Sequence, residues 1–436
     1  MFELDTGNTA WILTASALVL LMTPGLAFFY GGMVRGKSVL NMMMMSFGAM
    51  GLVSVIWVLY GYSGAFGTDI GGIIGNPTDY FGVSTITDDQ SLMFAAGVPA
   101  LVAVAFQATF AIINVALISG AVADRMKFSA WMVFAGIWAT LVYVPMAHMV
   151  WGGGLLGATG ITEAISVPID FAGGTVVHIN AGVAGLVLAI ILGTRKGFGK
   201  EPMRPHNLPF VMLGAGLLWF GWFGFNAGSE FAADGTAGRA WVNTLVATAI
   251  AMLAWLITEK VRDGSATSLG GASGVVAGLV AITPAAAAVD TFGALAIGAV
   301  AGVLCALAVG LKYKLGYDDS LDVVGVHLVG GLTGTILIGL FANVGEGVNG
   351  TWYAEGSMNG LFYGGGFNQL ATQTIVALAA VVFSGVMTTI IALAIKAAMG
   401  LRITEEQEVG GIDLAVHGET AYETLGGARK TQEVRA

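Results

Sequence analysis

Two histidines in long apolar segments are the residues of this sequence best suited to proton chemistry in a hydrophobic environment. His178 and His327 each follow a valine and stand four residues before a glycine, in the similar stretches 176–185 and 325–334. Imidazole exchanges a proton near neutral pH, and ionisable groups inside a membrane are costly, which indicates function. A single histidine on an apolar helix face more often only packs and hydrogen-bonds. Two histidines at matching positions favour a functional pair.

Aromatic side chains form a second group with helical spacing. Phe106 and Phe110 are four residues apart, and Trp222, Phe225 and Ser229 share one face of another predicted helix. Such a stripe is commonly hydrophobic core. Aromatic faces also attract a desolvated cation, however, and a serine hydroxyl accepts a hydrogen bond from it. The pattern leaves two interpretations, core packing and a cation site.

Trp151 and Asp170 lie near the ends of predicted membrane spans. Trp151 stands just outside the predicted fourth span, where it either completes the cation site or anchors the protein at the membrane interface. Asp170 opens the stretch 170–175, and its carboxylate is predicted to cap a helix N-terminus by accepting hydrogen bonds from free backbone amides. We favour this structural role over direct cation binding.

The composition places these residues in a membrane protein. Among 436 residues, 56% are hydrophobic and only 10% are charged, with 66 glycines. A soluble domain carries roughly 25% charged residues, so a water-soluble globule is excluded. The single cysteine, Cys305, excludes an intrachain disulfide and a cysteine-based metal site.

The basic residues predict the topology. They occur in clusters separated by excursions that each have room for two spans, and of the 18 basic residues only Arg239 falls outside by this assignment. Five excursions and one preceding span give eleven transmembrane helices, with the N-terminus outside and the C-terminus in the cytoplasm. The predicted spans are 9–30, 41–63, 92–122, 129–148, 171–193, 208–229, 240–258, 267–289, 291–311, 321–342 and 369–396.

The two histidine stretches fall in the fifth and tenth spans, which predicts a repeat of five helices. Because five is odd, helices 1–5 and 6–10 form an inverted pseudo-two-fold pair followed by helix 11, and the histidines meet near the midplane. Glycine-rich helix packing is the alternative source of the similarity. His327 lies only five residues after Asp322, so the tenth helix is predicted to start before Asp322.

The chain divides into a transmembrane domain, 1–396, and a cytoplasmic regulatory tail, 397–436, for which a solvated end and a docking segment are both open interpretations. By the predicted topology the outer face is strongly acidic and would enrich small cations, with only Arg239 opposing it. The predicted outer acids are Glu3, Asp5, Asp69, Asp79, Asp88, Asp89, Glu163, Asp170, Glu230, Asp234, Asp290, Glu346 and Glu355.

The stretches 170–182 and 222–229 closely resemble the ammonium transporter (Amt/Mep/Rh) family, and the similarity covers nearly the whole chain, including 24–32, 106–110, 322–327 and 405–419. The resemblance implies an eleven-helix bundle that forms homotrimers, with one pore in each subunit. The tryptophan and serine of the outer site place the sequence on the bacterial Amt side of the family. The resemblance further implies a trimeric PII-type regulator docking at the cytoplasmic face, with 410–422 participating.

The resemblance also implies a role for each candidate residue. The set comprises an outer recruitment site (Phe106, Trp151 and Ser229), a phenyl gate (Phe110 and Phe225), a pore and proton relay (His178 and His327), a pore-lining residue (Trp222) and a structural or deprotonation support (Asp170).

We therefore expect a multi-pass protein of the plasma or inner membrane that binds ammonium outside, deprotonates it and conducts ammonia along the histidines. The residues leave open whether the proton returns outside or follows inward. An intramembrane enzyme with a histidine-bound metal lacks a third ligand, and a sensor has only the short tail for signalling. No catalytic residue, metal, cofactor or nucleic-acid partner is expected. Methylammonium is the expected substrate analogue.

Overall fold

The computed structural model describes residues 3–87, 97–344 and 356–422. The predicted acids Asp88, Asp89, Glu346 and Glu355 lie outside the described residues, as do 92–96 of the predicted third span and the tail beyond 422. The predicted all-α architecture is confirmed, with ten helices of membrane-spanning length and apolarity and one shorter apolar helix in the described parts of the chain.

The helices follow the predicted order. They are α1 (Thr6–Met33), α2 (Val39–Phe66), α3 (Ala100–Val122), α4 (Phe128–Trp151), α5 (Gly174–Leu192), α6 (Leu208–Gly228), α7 (Gly235–Asp263), α8 (Ser268–Ile282), α9 (Thr291–Leu315), α10 (Val324–Phe341) and α11 (Asn368–Met399). Two short strands, β1 (Asp69–Ile70) and β2 (Ile74–Gly75), pair antiparallel after α2, and a six-residue helix, α12 (Glu405–Gly410), opens the tail.

Several helices contain a turn of π-helix, in which the backbone accommodates one extra residue. In both α5 and α10 the π-helical turn is the first turn of the helix and includes the histidine. The π-helical turns are Trp57–Gly61, Ala139–Tyr143, Gly174–Ile179, Val324–Leu328 and, in the tail, Asp413–His417.

Several predicted boundaries differ from the structure, among them the start of α3, which is Ala100 rather than 92, and three differences lie near the candidate site. Helix α4 continues through Trp151, which is its last residue rather than a residue outside the span. Helix α8 ends at Ile282 instead of 289, because Pro284 lacks the amide hydrogen that would continue the helical hydrogen bonds. Helix α10 begins at Val324, after Asp322 and not before it, because Asp322 has a positive φ of 65° that interrupts the helix.

The helices pack so that the histidine-bearing elements lie inside. Helix α1 packs along α6, and α7 packs against both α8 and α9, while α5 and α10 contact each other in the interior. Large apolar side chains such as Phe220, Val382 and Ile390 remain exposed on the outside of the bundle. A helix that is apolar on all sides is expected where lipid is the surrounding solvent.

Candidate functional site

The N-terminus of α5 is fixed by Asp170. The Asp170 carboxylate accepts backbone hydrogen bonds from Gly173 and Gly174 on one oxygen, at 3.0 and 2.6 Å, and from Thr175 and Val176 on the other, at 2.9 and 3.1 Å. These amides have no partner within the helix, and a carboxylate also interacts favourably with the helix dipole. Asp170 therefore lies where it sets the start, and so the direction, of the helix that carries His178.

Asp319 plays the matching part in the second half of the chain. Its carboxylate accepts hydrogen bonds from the amides of Val323 and Val324 at 3.1 and 2.7 Å. Asp319 stands eight residues before His327, the same spacing that separates Asp170 from His178. Asp322, which sequence reasoning used as the depth marker, instead forms an ion pair with Lys312 at 2.6 Å. The equal spacing of eight was the signal that could have identified Asp319.

Two glycines bring α5 and α10 close together at the histidines. A side chain at Gly182 would collide with the backbone of Leu328, the residue after His327. A Cβ atom at Gly331 would lie 3.0 Å from the Cβ of His178 and 3.1 Å from the amide nitrogen of Ile179. Each glycine is four residues after the histidine of its own helix. The repeated Val-His pattern thus encodes a reciprocal close approach of the two backbones.

The two histidines are in direct contact. Their Nδ1 atoms are 3.3 Å apart, and their ring centroids are 5.4 Å apart at an interplanar angle of 23°. A hydrogen bond between two imidazole nitrogens needs one donor and one acceptor, so one proton lies between the rings. Both rings are almost completely buried. Nε2 of His178 has no hydrogen-bond partner among the described residues.

Above the histidines, aromatic rings form a continuous group. Phe110 and Phe225 stack with ring centroids 4.0 Å apart and an interplanar angle of 16°. Phe110 also contacts Phe106 and Trp151 edge to face, at 4.9 and 6.2 Å. Phe225 is 6.3 Å from His178, so the ring group reaches the histidine pair.

Trp222 lies beside His178 on the cavity. Its ring stacks on the imidazole of His178 with centroids 5.4 Å apart and an interplanar angle of 18°. The indole nitrogen donates a 2.8 Å hydrogen bond to the hydroxyl of Thr283, just after α8, which orients the ring. Sequence reasoning did not identify Thr283, because a threonine beside a proline carries no distinctive signal.

A narrow cavity joins the phenyl stack to the histidine pair. Its volume of about 10 Å³ is close to the smallest space that accepts one water molecule. The lining is apolar apart from the imidazoles and the indole, and no carboxylate belongs to it in the described part of the chain. The lining residues are Met22, Leu26, Phe29, Ile113, Leu117, Val177, His178, Leu218, Trp222, Phe225, Val276 and His327.

Trp151 and Ser229 hold defined positions beside the phenyl stack. The indole nitrogen of Trp151 donates a 2.9 Å hydrogen bond to the carbonyl of Asp170, which links the tryptophan to the N-terminus of α5. The hydroxyl of Ser229 donates to the carbonyl of Phe225 at 2.8 Å. Since this bond uses the hydroxyl hydrogen, the oxygen lone pairs of Ser229 remain able to accept hydrogen bonds from a cation.

Glu230 directly follows Ser229 in the chain. Burial raises the pKa of the neighbouring Glu230 to about 7, and the charge of Asp234 adds to the rise, whereas Arg239 lowers it. Arg239 also donates to the carbonyl of Ala287 at 3.4 Å. The charge of Glu230 therefore changes near neutral pH.

The described part of the tail is held against the start of α2 and the segment that follows α5. Asp413 accepts hydrogen bonds from the amides of Leu40 and Asn41 in the first turn of α2, at 3.0 and 2.8 Å. Glu408 pairs with Arg402 at 2.7 Å and accepts from the amide of Lys196 at 2.7 Å. Glu408 and Asp413, which make these contacts, belong to the similar segment 405–419.

The described residues contain no candidate metal site. No group of three or more His, Cys, Asp or Glu side chains in them is placed to hold a metal ion.

The chain is similar to known proteins over nearly its whole length. The profile described as Ammonium Transporter Family matches residues 10–422. An ammonium transporter of Mycobacterium tuberculosis is 60% identical over 435 residues, covering 96% of this chain and 91% of the relative. An ammonium transporter of Aquifex aeolicus is 51% identical, covering 96% of this chain and 94% of the relative.

Solved structures give the same result. The crystal structure of Saccharomyces cerevisiae Mep2 superposes with a TM-score of 0.83 at 35% identity, covering 92% of this chain and 91% of Mep2. A structure described as a sensor Amt protein superposes with a TM-score of 0.83 at 28% identity, covering 94% of this chain and 98% of that one.

Proposed function

Because this chain belongs to the ammonium transporter family and is a multi-pass membrane protein rather than an enzyme, we propose that it takes up ammonium through the cavity between the phenyl stack and the paired histidines. The observation that carries the proposal is the direct contact of His178 and His327 inside a narrow, otherwise apolar cavity. An ionisable pair held there at considerable cost indicates a function in the passage of a protonatable molecule.

Recruitment is the first step. Trp151, Phe106 and Phe110 present aromatic faces and edges around the outer side of the stack, and aromatic faces attract a cation that has lost part of its water. The oxygen of Ser229 retains lone pairs for the N–H groups of ammonium. These groups select a small cation that donates hydrogen bonds.

Deprotonation is the second step. Phe110 and Phe225 lie in van der Waals contact and close the way inward, and the cavity below offers a cation no carboxylate among the described residues. Moving an unpaired charge into such surroundings is costly, whereas neutral ammonia crosses without that penalty. Potassium has a similar size but cannot lose a proton, so the same barrier excludes it.

Passage along the histidines is the third step. Ammonia can donate a hydrogen bond to a free ring nitrogen and accept one from an N–H group. The shared proton between His178 and His327 gives the pair both kinds of group. Whether the proton removed from ammonium returns outside or follows through the rings decides between neutral and electrogenic transport.

Replacement of both histidines tests the proposal. We expect His178→Ala/His327→Ala in proteoliposomes to lose selective methylammonium uptake, at least tenfold below wild type. His206→Ala, which changes a histidine on the cytoplasmic side, serves as the matched control and retains uptake. Current recording on the wild type then distinguishes the two proton routes. Wild-type flux in the double variant would contradict the role assigned to the pair.

The assembly and partner are part of the same proposal. We propose a homotrimer with one pore in each subunit, and a PII-type regulatory protein that docks at the cytoplasmic face where the tail lies. Support comes from the family and from the hydrogen bonds that hold Glu408 and Asp413 against the ends of the helices. Native mass spectrometry of the detergent-extracted protein measures the copy number, and co-purification with a PII protein tests the partner.

A further inference from the structure

His148, in the last turns of α4, is a buried histidine that the proposed transport path does not use. Its side chain is completely buried, whereas the side chain of its partner Asp69 is 47% exposed on β1. Nδ1 of His148 lies 2.9 Å from the carbonyl oxygen of Ala65, and Nε2 lies 2.8 Å from a carboxylate oxygen of Asp69. The ring therefore bridges the end of α2 and the outer hairpin.

Both hydrogen-bond partners of the His148 ring are oxygen atoms, and this determines how many protons the ring and Asp69 hold together. The carbonyl of Ala65 can only accept, so Nδ1 of His148 carries a hydrogen. A neutral imidazole then has a lone pair on Nε2, which would face the lone pairs of an ionised Asp69 carboxylate at 2.8 Å. The contact is favourable only when one additional proton lies between Nε2 and the carboxylate, on either partner.

The same histidine supports the turn that follows Trp151. The backbone carbonyl of His148 accepts hydrogen bonds from the amides of Gly152 and Gly154, at 2.9 and 3.1 Å. A Cβ atom at Gly152 would lie 2.6 Å from Nδ1 of His148, so the turn rests directly on the ring. The amide of Leu155 donates to the carbonyl of Gly72 at 2.8 Å, which ties this turn to the same hairpin as Asp69.

We propose that His148 is a positioning residue for substrate recruitment, and that the proton it shares with Asp69 keeps the hairpin and the turn after Trp151 together so that the indole stays against Phe110. This inference rests on the proposed function, because it assigns Trp151 to the recruitment site. Without that proton the contact is repulsive and the turn loosens. Recruitment then weakens, while the histidine pair of the cavity is unaffected.

Asp69→Asn separates the shared proton from the hydrogen bond. An asparagine amide donates to the lone pair of Nε2. The hydrogen bond therefore survives with a neutral ring and needs no additional proton. The experiment measures KM and Vmax for methylammonium in proteoliposomes at about pH 7. Methylammonium is a cation there, because an alkylammonium group resembles the lysine side chain with a pKa of about 10.4.

We expect His148→Gln, compared at equal protein amount, to raise KM at least threefold with little change in Vmax. Asp69→Asn, which keeps the hydrogen bond to the ring, should retain the KM of the wild type. A wild-type KM in His148→Gln, or an equal rise of KM in Asp69→Asn, would overturn the inference while leaving the proposed function intact. Absence of methylammonium uptake in the wild type would instead overturn the proposed function.

Discussion

The carboxylate of Asp170 accepts four backbone hydrogen bonds while completely enclosed by protein, and this concentration of contacts on one residue makes its replacement costly. In Asp170→Asn, one oxygen becomes an amide group that faces two N–H donors. Hydrogen bonds to a charged group contribute about 1.5–3 kcal/mol each, so we expect a loss of roughly 3 kcal/mol or more in the free energy of unfolding.

The measurement is thermal or denaturant unfolding of the protein in detergent, with Asp290→Asn as the matched control. Asp290 also caps a helix, but its carboxylate accepts one backbone hydrogen bond, from Gly293 at 2.8 Å, and one from the hydroxyl of Tyr363. We expect a loss of about 1 kcal/mol for that substitution. Equal stability losses in the two variants would show that the four amide hydrogen bonds do not determine how much Asp170 stabilises the protein.

Glu230 supplies a pH-dependent charge next to Ser229. Because burial raises its pKa to about 7, the carboxyl is ionised above that value and neutral below it. An anion at the outer site attracts ammonium, so KM for methylammonium should rise about two- to threefold as the pH falls from about 8 to 6. In Glu230→Gln, KM should stay constant over the same interval. If KM still rose toward acid pH in this variant, the effect would belong to another group.

At the scale of helices, the reciprocal approach of α5 and α10 makes their glycines essential. A methyl group at Gly331 would lie 3.0–3.2 Å from His178, Ile179 and Gly174, so Gly331→Ala must push the helices apart. We expect a stability loss of 1–3 kcal/mol, the usual range for overpacking, and a several-fold decrease in methylammonium uptake.

Gly238→Ala on α7 is the matched control for Gly331→Ala. A Cβ atom there meets nothing within 4 Å, and alanine favours a helix over glycine by about 1 kcal/mol. We therefore expect equal or greater thermal stability with wild-type uptake. Wild-type uptake in Gly331→Ala as well would mean that the histidine contact tolerates a wider helix separation.

The same elements show what the sequence could and could not predict. Helical spacing correctly grouped Phe106 with Phe110 and Trp222 with Phe225, because an i,i+4 or i,i+3 relation survives any tertiary packing. The ends of α8 and α10 were wrong, because hydropathy continues past Pro284 and does not report the positive φ of Asp322.

Contacts between residues far apart in the sequence were even harder to predict. Nothing local connects His148 with Asp69, which are 79 residues apart, and nothing in their spacing reveals that a carboxylate and a buried ring meet. Asp319 is the opposite case, since its distance of eight residues from His327 repeats that of Asp170 from His178 and was available from the sequence. The repeat was recognised from the sequence in the two histidines but not in Asp170 and Asp319, whose carboxylates cap the helices that carry the histidines.

At the scale of the whole molecule, Asp413 connects the tail to the transmembrane bundle through the first turn of α2. Asp413→Ala removes the acceptor for the amides of Leu40 and Asn41, and losing a helix cap typically costs about 1 kcal/mol. We expect faster hydrogen exchange at these amides and in 405–417, and easier proteolysis of the tail. Glu419→Gln, an exposed change in the tail, should leave exchange at both places as in wild type. Unchanged protection in Asp413→Ala would mean that other contacts hold the tail.

The single hydrogen between His178 and His327 makes the two rings of the cavity unequal as hydrogen-bond partners. The ring that carries it on Nδ1 exposes a bare nitrogen at Nε2, whereas the ring that receives it is the opposite tautomer and bears its own hydrogen at Nε2. A passing ammonia thus meets an acceptor at one ring and a donor at the next. The order reverses in both rings only when a proton binds at the bare Nε2, the shared hydrogen crosses to the other ring, and the hydrogen at the other Nε2 leaves. The pair consequently has two mirror-related settings, and each inward proton transfer would leave it in the setting opposite to the one in which it began.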